Sequence, residues 1–363
     1  MKIINIITGN DNGGGGEYVL NICNSDYYEA ELICIGNGIL KDKAINRNIK
    51  VSVFKFVDFL NGKFIRYINQ NKIDIILWHG AKAFFLHKIL YRKINLKSFA
   101  VKHSDFNKDF HNKRFLKRKV LTYLSKLGLK SFNEFIAVSK VISDIIEENF
   151  KYKKIYIIRN AINMNNMKLD ENIKRSSLGI SDNEFLFINI SRLHPIKNQI
   201  NLIKGFKKLL NEYPFCKLII IGDGSERDNI ELFIKDNKLA ENILLLGEKE
   251  NAYKYINIAD ANILASISEG GEPPIVLLEG GVFKVPNIYP SIGYLNQIIG
   301  DNMGYKIDPY NIESIYLTMK NVLKDDNRNI KANYFYDFIK ANYSIDIFHK
   351  NFYNVFKENK RNI

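Results

Sequence analysis

Along the chain, short apolar runs rich in Ile, Val and Phe are each followed by a turn signal and then by a longer stretch with apolar residues at helical spacing. That alternation predicts parallel strands joined by helical crossovers. In the first half the predicted strands are residues 3–8, 30–35, 51–57, 73–78, 98–102, 134–138 and 154–158. The pattern begins again with 185–190, 216–221, 242–246, 261–265 and 285–288. Two consecutive doubly wound sheets are the simplest account. Between them, residues 163–183 are polar and carry no long strand pattern, which marks a linker. Three helical stretches close the chain, near 312–324, 330–341 and 345–358, and the last places Phe348, Phe352 and Phe356 on one face. Such a helix is expected to return and pack on the first domain. The expected division is a first domain over 1–165, a linker over 166–183 and a second domain over 184–343, with the helix in 344–363 crossing back.

A length of 363 residues suits two domains, because single cores stop growing efficiently somewhere below about 300 residues. Apolar residues make up 46% of the chain and aromatic residues 12%, so nothing in the composition points to disorder. The net charge of +14, carried mostly by lysine and read as spread along the chain, favours anionic partners. Its densest cluster, Lys113, Arg114, Lys117, Arg118 and Lys119 beside Phe115 and Leu116, reads as a basic amphipathic helix suited to an anionic membrane surface, or as a solvated helix face. The Asn, Ile, Lys and Tyr bias of AT-rich codons produces basic chains as well. No recognised nucleic-acid motif accompanies the lysines, so nucleic acid is not an expected partner. Cys23, Cys34 and Cys216 show neither metal-ligand spacing nor a disulfide framework, and a reducing cytoplasm fits them. The apolar start is too short for a signal peptide, and no apolar run approaches the ~18 to 20 residues of a membrane span.

Chemistry concentrates where predicted strands end. Asn12-Gly13-Gly14-Gly15-Gly16-Glu17 follows the first strand and opens a helix, bringing backbone N–H groups towards an anion; it has neither P-loop nor dinucleotide-fingerprint spacing. In the second half, Ser191-Arg192-Leu193-His194-Pro195-Ile196-Lys197-Asn198 leaves the C-terminal end of a strand, the edge where open α/β sheets bind ligands. Arg192 and Lys197 suit a diphosphate clamp, while His194 is read as structural. The turn Ile221-Gly222-Asp223-Gly224 would let a base or ribose approach the backbone. Finally, Ser268-Glu269-Gly270-Gly271-Glu272-Pro273-Pro274-Ile275-Val276-Leu277-Leu278-Glu279 sets carboxylates around a loop that enters a helix, and carboxylates accept hydrogen bonds from sugar and ribose hydroxyls. A buried Glu279 in an apolar helix needs such a partner.

This order of features resembles the group 1 family of nucleotide-sugar glycosyltransferases, family 4 in the sequence-based classification. The resemblance covers essentially the whole chain and is sharpest over 190–286. It implies the GT-B architecture, two Rossmann-like α/β domains facing a cleft, and transfer with retention of anomeric configuration, without a metal or other cofactor. It further implies that Arg192 and Lys197 hold the pyrophosphate and that Glu279 contacts the donor ribose. The family places its first motif glutamate eight positions before the second, which here is Gly271; Glu269 and Glu272 flank that point, with Glu269 the expected contact to donor sugar hydroxyls. Ile275 and Val276 fall in the same donor-binding stretch. Gly14 and Gly15 resemble the glycine loop beside the diphosphate. The segments Ile76-Leu77-Trp78-His79-Gly80 and Ala100-Val101-Lys102-His103-Ser104 resemble two that carry histidines at strand ends, with His103 expected at the reaction centre.

The expected function is therefore transfer of a hexose or N-acetylhexosamine from a nucleotide-diphosphate sugar to a glycan or lipid-linked acceptor, in the cytoplasm or on the inner face of its membrane. Two rivals share the features: a nucleotide-sugar epimerase of the same architecture, and a non-catalytic sugar-nucleotide-binding module. No Asp-x-Asp pair occurs in the chain, which argues against the metal-dependent single-domain transferases.

Overall fold

The structure, a computed structural model, describes residues 1–11, 13–104, 115–269 and 272–360, without the side chains of 115–118 and 360. The chain divides into two units, Met1–Ala161 with Ile345–Ile363, and Ile162–Ser344. In the first, strands β1 (Lys2–Thr8), β2 (Glu29–Ile35), β3 (Val51–Phe54), β4 (Ile75–His79), β5 (Lys97–Lys102), β6 (Glu134–Ala137) and β7 (Lys154–Ile157) form one parallel sheet in the order β3-β2-β1-β4-β5-β6-β7. Helices α1 (Gly14–Cys23) and α2 (Ile39–Asn46) make the first two crossovers. The remainder are made by α3 (Phe56–Leu60) with α4 (Lys63–Gln70), α5 (Gly80–Leu90), α6 (Phe115–Leu129) and α7 (Lys140–Asn149). Ile3 pairs with Ala30 on one side and Ile75 on the other, so β1 is central, and its run of buried isoleucines reflects a strand covered on both faces.

The second unit repeats the plan with β8 (Phe185–Ile190), α8 (Gln199–Leu210), β9 (Cys216–Ile221), α9 (Arg227–Asp236), β10 (Ile243–Leu245) and β11 (Ala261–Ile263). It continues through α10 (Ile275–Val282), β12 (Asn287–Pro290), α11 (Leu295–Ile298), β13 (Tyr305–Ile307), α12 (Ile312–Lys324) and α13 (Arg328–Asn342). The sheet order is β10-β9-β8-β11-β12-β13. A last helix, α14 (Ile345–Lys360), belongs to the first unit, where Phe348, Phe352 and Phe356 are buried with Tyr18 and Phe99.

Each sheet is covered on both faces. Helices α3 to α7 lie together on one face of the first, where Phe59, Phe64, Phe84, Leu129 and Ile146 share a core with Trp78 and Phe135. In the second unit α8, α9 and α12 cover one face, and α10 and α13 the other.

Three segments differ from the pattern-based reading. The strand expected over 51–57 stops at Phe54, because the Asp58 carboxylate accepts the Lys55 N–H at 2.7 Å and starts α3. Strand β13 was not expected; three residues are too short to show a period, and only pairing of Ile288 with Tyr305 reveals it. The segment expected as a linker folds onto the second unit: the Arg175 guanidinium donates to Ile258 O, Glu184 O and the Asp260 carboxylate, and Ile180 is buried.

Strand order reverses between β1 and β4 in the first unit and between β8 and β11 in the second. Loops diverge at such points and leave a crevice above the carboxyl ends of the strands.

Candidate active site

At the second unit's switch point, the loop after β8 carries Arg192 and Lys197, and the loop after β11 carries Glu269 and Glu272. Backbone and side chains tie the two loops together. Ile267 N–H donates to Ile196 O at 2.9 Å, Asn198 Nδ2 donates to Ala265 O at 3.2 Å and to Pro309 O at 2.7 Å, and Lys197 Nζ meets Glu269 Oε1 at 2.6 Å. His194 turns its Nδ1 back onto Ile196 N–H at 3.3 Å, a local cap consistent with its structural reading. Below the loop, Gln199 Nε2 bridges Ser191 Oγ and Arg192 O, and Ser191 Oγ donates to Asn189 Oδ1, so the backbone under Arg192 rests on buried β8 and α8 side chains. Arg192 itself is exposed and has no ion pair among the described residues. A diphosphate would find one clamp member free and the other held by a carboxylate.

The glycines after β9 have a different cause from the one expected. A Cβ at Gly222 (φ 143°) would lie 2.1 Å from Ser191 O, and one at Gly224 would lie 2.2 Å from Leu193 O. What comes close to this turn is the backbone of the Arg192 loop.

Helix α10 begins after Pro273 and Pro274, so its opening donors are the amides of Ile275 and Val276, which find no acceptor among the described residues. Glu279 lies one turn on, on the stripe of Ile275. None of the described residues hydrogen-bonds its carboxylate, and burial pushes its pKa up to about 7. The two candidates for the first motif glutamate are separated: Glu269 faces Lys197, whereas Glu272 Oε2 accepts from Tyr343 Oη at 2.7 Å. Gly270 and Gly271, between them, lie outside the described residues.

In the first unit, Gly14 and Gly15 open α1 after β1. The Asp11 carboxylate accepts from Gly13 N–H and Gly16 N–H, each at 3.0 Å, so two of the amides expected to cradle an anion already hold one. Nothing lies within 4 Å of a Cβ built at Gly14, and one at Gly15 would sit 3.6 Å from His103 Cδ2. The glycine loop and His103 are therefore neighbours. Asn12 lies outside the described residues.

His103 ends a buried polar chain. Its Nε2 is 3.0 Å from His79 Nδ1, and His79 Nε2 is 3.1 Å from Asn5 Oδ1, while Asn5 Nδ2 donates to Cys23 Sγ at 3.4 Å. Burial lowers the pKa of both rings, His103 to about 3 with Lys102 adding to the effect, so both are neutral near pH 7. The Asn5 oxygen requires a proton on His79 Nε2; His79 Nδ1 is then an acceptor, and His103 must donate to it from Nε2. His103 Nδ1 is left as a hydrogen-bond acceptor. His79→Phe is expected to lower transfer about tenfold or more by freeing that ring, and to lower Tm because Asn5 Oδ1 loses its donor, while donor affinity is unchanged; a kcat loss with equal loss of donor binding would contradict this role.

Asp11, Asn5, Gln199 and Tyr343 were not singled out in the sequence. Asn5 does interrupt an isoleucine run, a visible sign of a buried polar partner.

Residues 170–337 match the family model for glycosyl transferases group 1, and residues 40–166 match that for glycosyltransferase family 4. The chain belongs to the group 1 glycosyltransferases. Among curated group 1 relatives, the UDP-Gal:alpha-D-GlcNAc-diphosphoundecaprenol alpha-1,3-galactosyltransferase of Escherichia coli is 25% identical over 329 residues, 85% of this chain and 83% of that one. An uncharacterised glycosyltransferase of Methanocaldococcus jannaschii is 27% identical over 219 residues; these cover 57% of this chain and 53% of the relative, about half its length. The crystal structure of Anabaena HepE in complex with UDP superposes with a TM-score of 0.82 at 17% identity, over 99% of this chain and 100% of that one. That likeness shows the fold, two Rossmann-like units of the GT-B type.

Proposed function

We propose that this group 1 glycosyltransferase moves a hexose or N-acetylhexosamine from a nucleotide-diphosphate sugar to a glycan or lipid-linked acceptor, with retention of configuration and without a metal. The observation that carries the reading is the second unit's switch point, where an exposed arginine, a lysine, and two helix amides and a carboxylate with no partner among the described residues adjoin two tied loops. Arg192, Lys197 and the Ile275 and Val276 amides are assigned to the diphosphate, Glu279 to the ribose, and Glu269 to the donor sugar hydroxyls. Glu272, turned to Tyr343, is assigned to holding the loop. The acceptor hydroxyl attacks the anomeric carbon as its bond to the diphosphate oxygen breaks on the same face, and the departing phosphate takes the hydroxyl proton. The protein supplies position and charge stabilisation rather than a nucleophile. The curated relative named for a diphosphoundecaprenol acceptor supports a polyprenyl-diphosphate-linked glycan, as in envelope polysaccharide synthesis.

The test incubates the purified chain with a panel of nucleotide sugars and polyprenyl-diphosphate glycans, with and without EDTA, and reads nucleotide release and product anomer by NMR. An α-linked product from an α-linked donor, unaffected by EDTA, is expected. Inverted product, or a donor epimer formed without acceptor, would overturn the reading; binding without turnover would mark a non-catalytic module.

A further inference from the structure

Of the expected basic helix, Lys113 and Arg114 lie outside the described residues, as do the side chains of Lys117 and Arg118, and Lys119 is exposed on α6. In the second unit, two buried asparagines lie under α10. Asn262 on β11 and Asn287 on β12 are partners in the parallel register and are 0% and 1% exposed. Strand alternation puts them on the face that α10 and α13 cover, with Leu264 and Tyr289 two residues on. Asn262 Nδ2 donates to Val276 O at 3.0 Å and to Asn287 Oδ1 at 2.7 Å, and Asn287 Nδ2 donates to Val285 O at 3.2 Å. Val276 is in the first turn of α10, and its carbonyl has a second lone pair beyond the one a helix uses.

Two glycines let the helix sit this low. A Cβ at Gly280 would lie 2.6 Å from Asn287 Oδ1 and 2.8 Å from Asn262 Nδ2, and one at Gly281 would lie 2.3 Å from Ile339 Cδ1 of α13. Helix α10 is thus held between the asparagine pair and α13. Adjacent glycines also weaken a helix of only 8 residues, so its place depends on what it is fastened to. For stability alone the pair is a poor choice. Asn262 Oδ1 is buried with no hydrogen-bond partner among the described residues, a cost that apolar side chains of the same shape would not carry. What the amides add is direction. An apolar contact tolerates sliding, whereas a donor 3.0 Å from one carbonyl fixes the helix both along the sheet and towards it.

We propose that Asn262, braced by Asn287, is a positioning residue for the donor: it sets the start of α10, and with it the Ile275 and Val276 amides and the Glu279 carboxylate, at the depth the nucleotide sugar needs. Both asparagines are buried beneath the helix and act through it. The inference rests on the assignment of those amides and that carboxylate to the donor.

The test is calorimetric titration, beside thermal melts, with whichever sugar of a UDP-, GDP- and ADP-sugar panel the parent binds most tightly. Carbon stands at about 3.5 to 4 Å where the amide stands at 3.0 Å, so Asn262→Leu with Asn287→Leu lifts the helix start and weakens binding about tenfold. Tm changes by less than about 3 °C, because both partners of the bond are replaced. Gly280→Ala keeps both asparagines, presses a methyl against them and lowers affinity at least about threefold, an answer that does not depend on the leucine pair folding. Val322→Ala on α12, in the core of the opposite face, lowers Tm by several degrees and alters donor affinity less than about twofold. In a Glu279→Gln background the leucine pair costs less than about fivefold, since one of the groups it displaces no longer contributes. Parent-like affinity in the leucine pair or in Gly280→Ala, with Glu279→Gln still weakening binding, would overturn the proposal alone. A loss matched by Val322→Ala, or undiminished in the Glu279→Gln background, would make the pair merely structural and overturn it as well. A parent that binds no nucleotide sugar would remove the donor assignment and the proposal with it.

Discussion

Arg192→Ala is expected to lower sugar transfer by about two to three orders of magnitude, the usual effect of removing one donor that stabilises developing charge, while shifting Tm by no more than about 2 °C. The separation follows from what the side chain touches. Arg192 is exposed and has no ion pair among the described residues, so the apo fold does not depend on its charge. Lys197 is different. Its ammonium meets Glu269 at 2.6 Å, with the two side chains only 21% and 12% exposed, and removing it strands a largely buried carboxylate. Lys197→Ala should therefore lose transfer and stability together, and adding Glu269→Gln should return Tm without returning transfer. Steady-state rates with thermal melts of the four proteins decide it. An Arg192→Ala enzyme with wild-type kcat/KM, or a double variant that recovers activity, would show that these cations do not stabilise the leaving diphosphate.

The contrast also marks what the sequence could tell. Strands β8 and β9 were read residue for residue, because FLFINI and CKLIII are buried on both faces and end at polar or glycine residues. The residue types at the second switch point were legible for the same reason, since they follow strand ends. Pairings were not. Lys197 and Glu269 are 72 residues apart, and His79 and Asn5 are 74 apart, so nothing local shows that they meet. Asp11 is a local case that was passed over: its carboxylate, two and five residues before Gly13 and Gly16, occupies the helix start that glycine content alone offered to phosphate. Gly222 was read as room for a ligand because a glycine shows only that something comes close; the fold shows that it is Ser191 O.

Glu279 carries the second large effect, in which stability and binding move in opposite directions. Burial raises its carboxyl to about 7, against about 4.3 in an unfolded chain. A raised carboxyl pKa means that ionisation opposes folding: the penalty is absent below about pH 4, grows as pH rises from about 4.5 to 7, and is complete above that, at up to about 4 kcal/mol. Glu279→Gln should therefore melt several degrees higher than the parent at pH 8, with the gain shrinking towards pH 4. The same change should weaken nucleotide-sugar binding by about tenfold or more, because an amide replaces a carboxylate that accepts charge-assisted hydrogen bonds from the ribose. Binding also has a direction in pH. The diphosphate diester of a nucleotide sugar stays ionised throughout, so affinity for the ionised carboxylate is level above about pH 7 and falls below it, approaching tenfold per unit. The Gln variant loses that dependence. Calorimetric titrations at pH 6 and pH 8, with melts at pH 4 and pH 8, separate the two effects. A variant that binds donor as the parent does, or whose stability gain is the same at both pH values, would leave the buried carboxylate with no part in donor recognition.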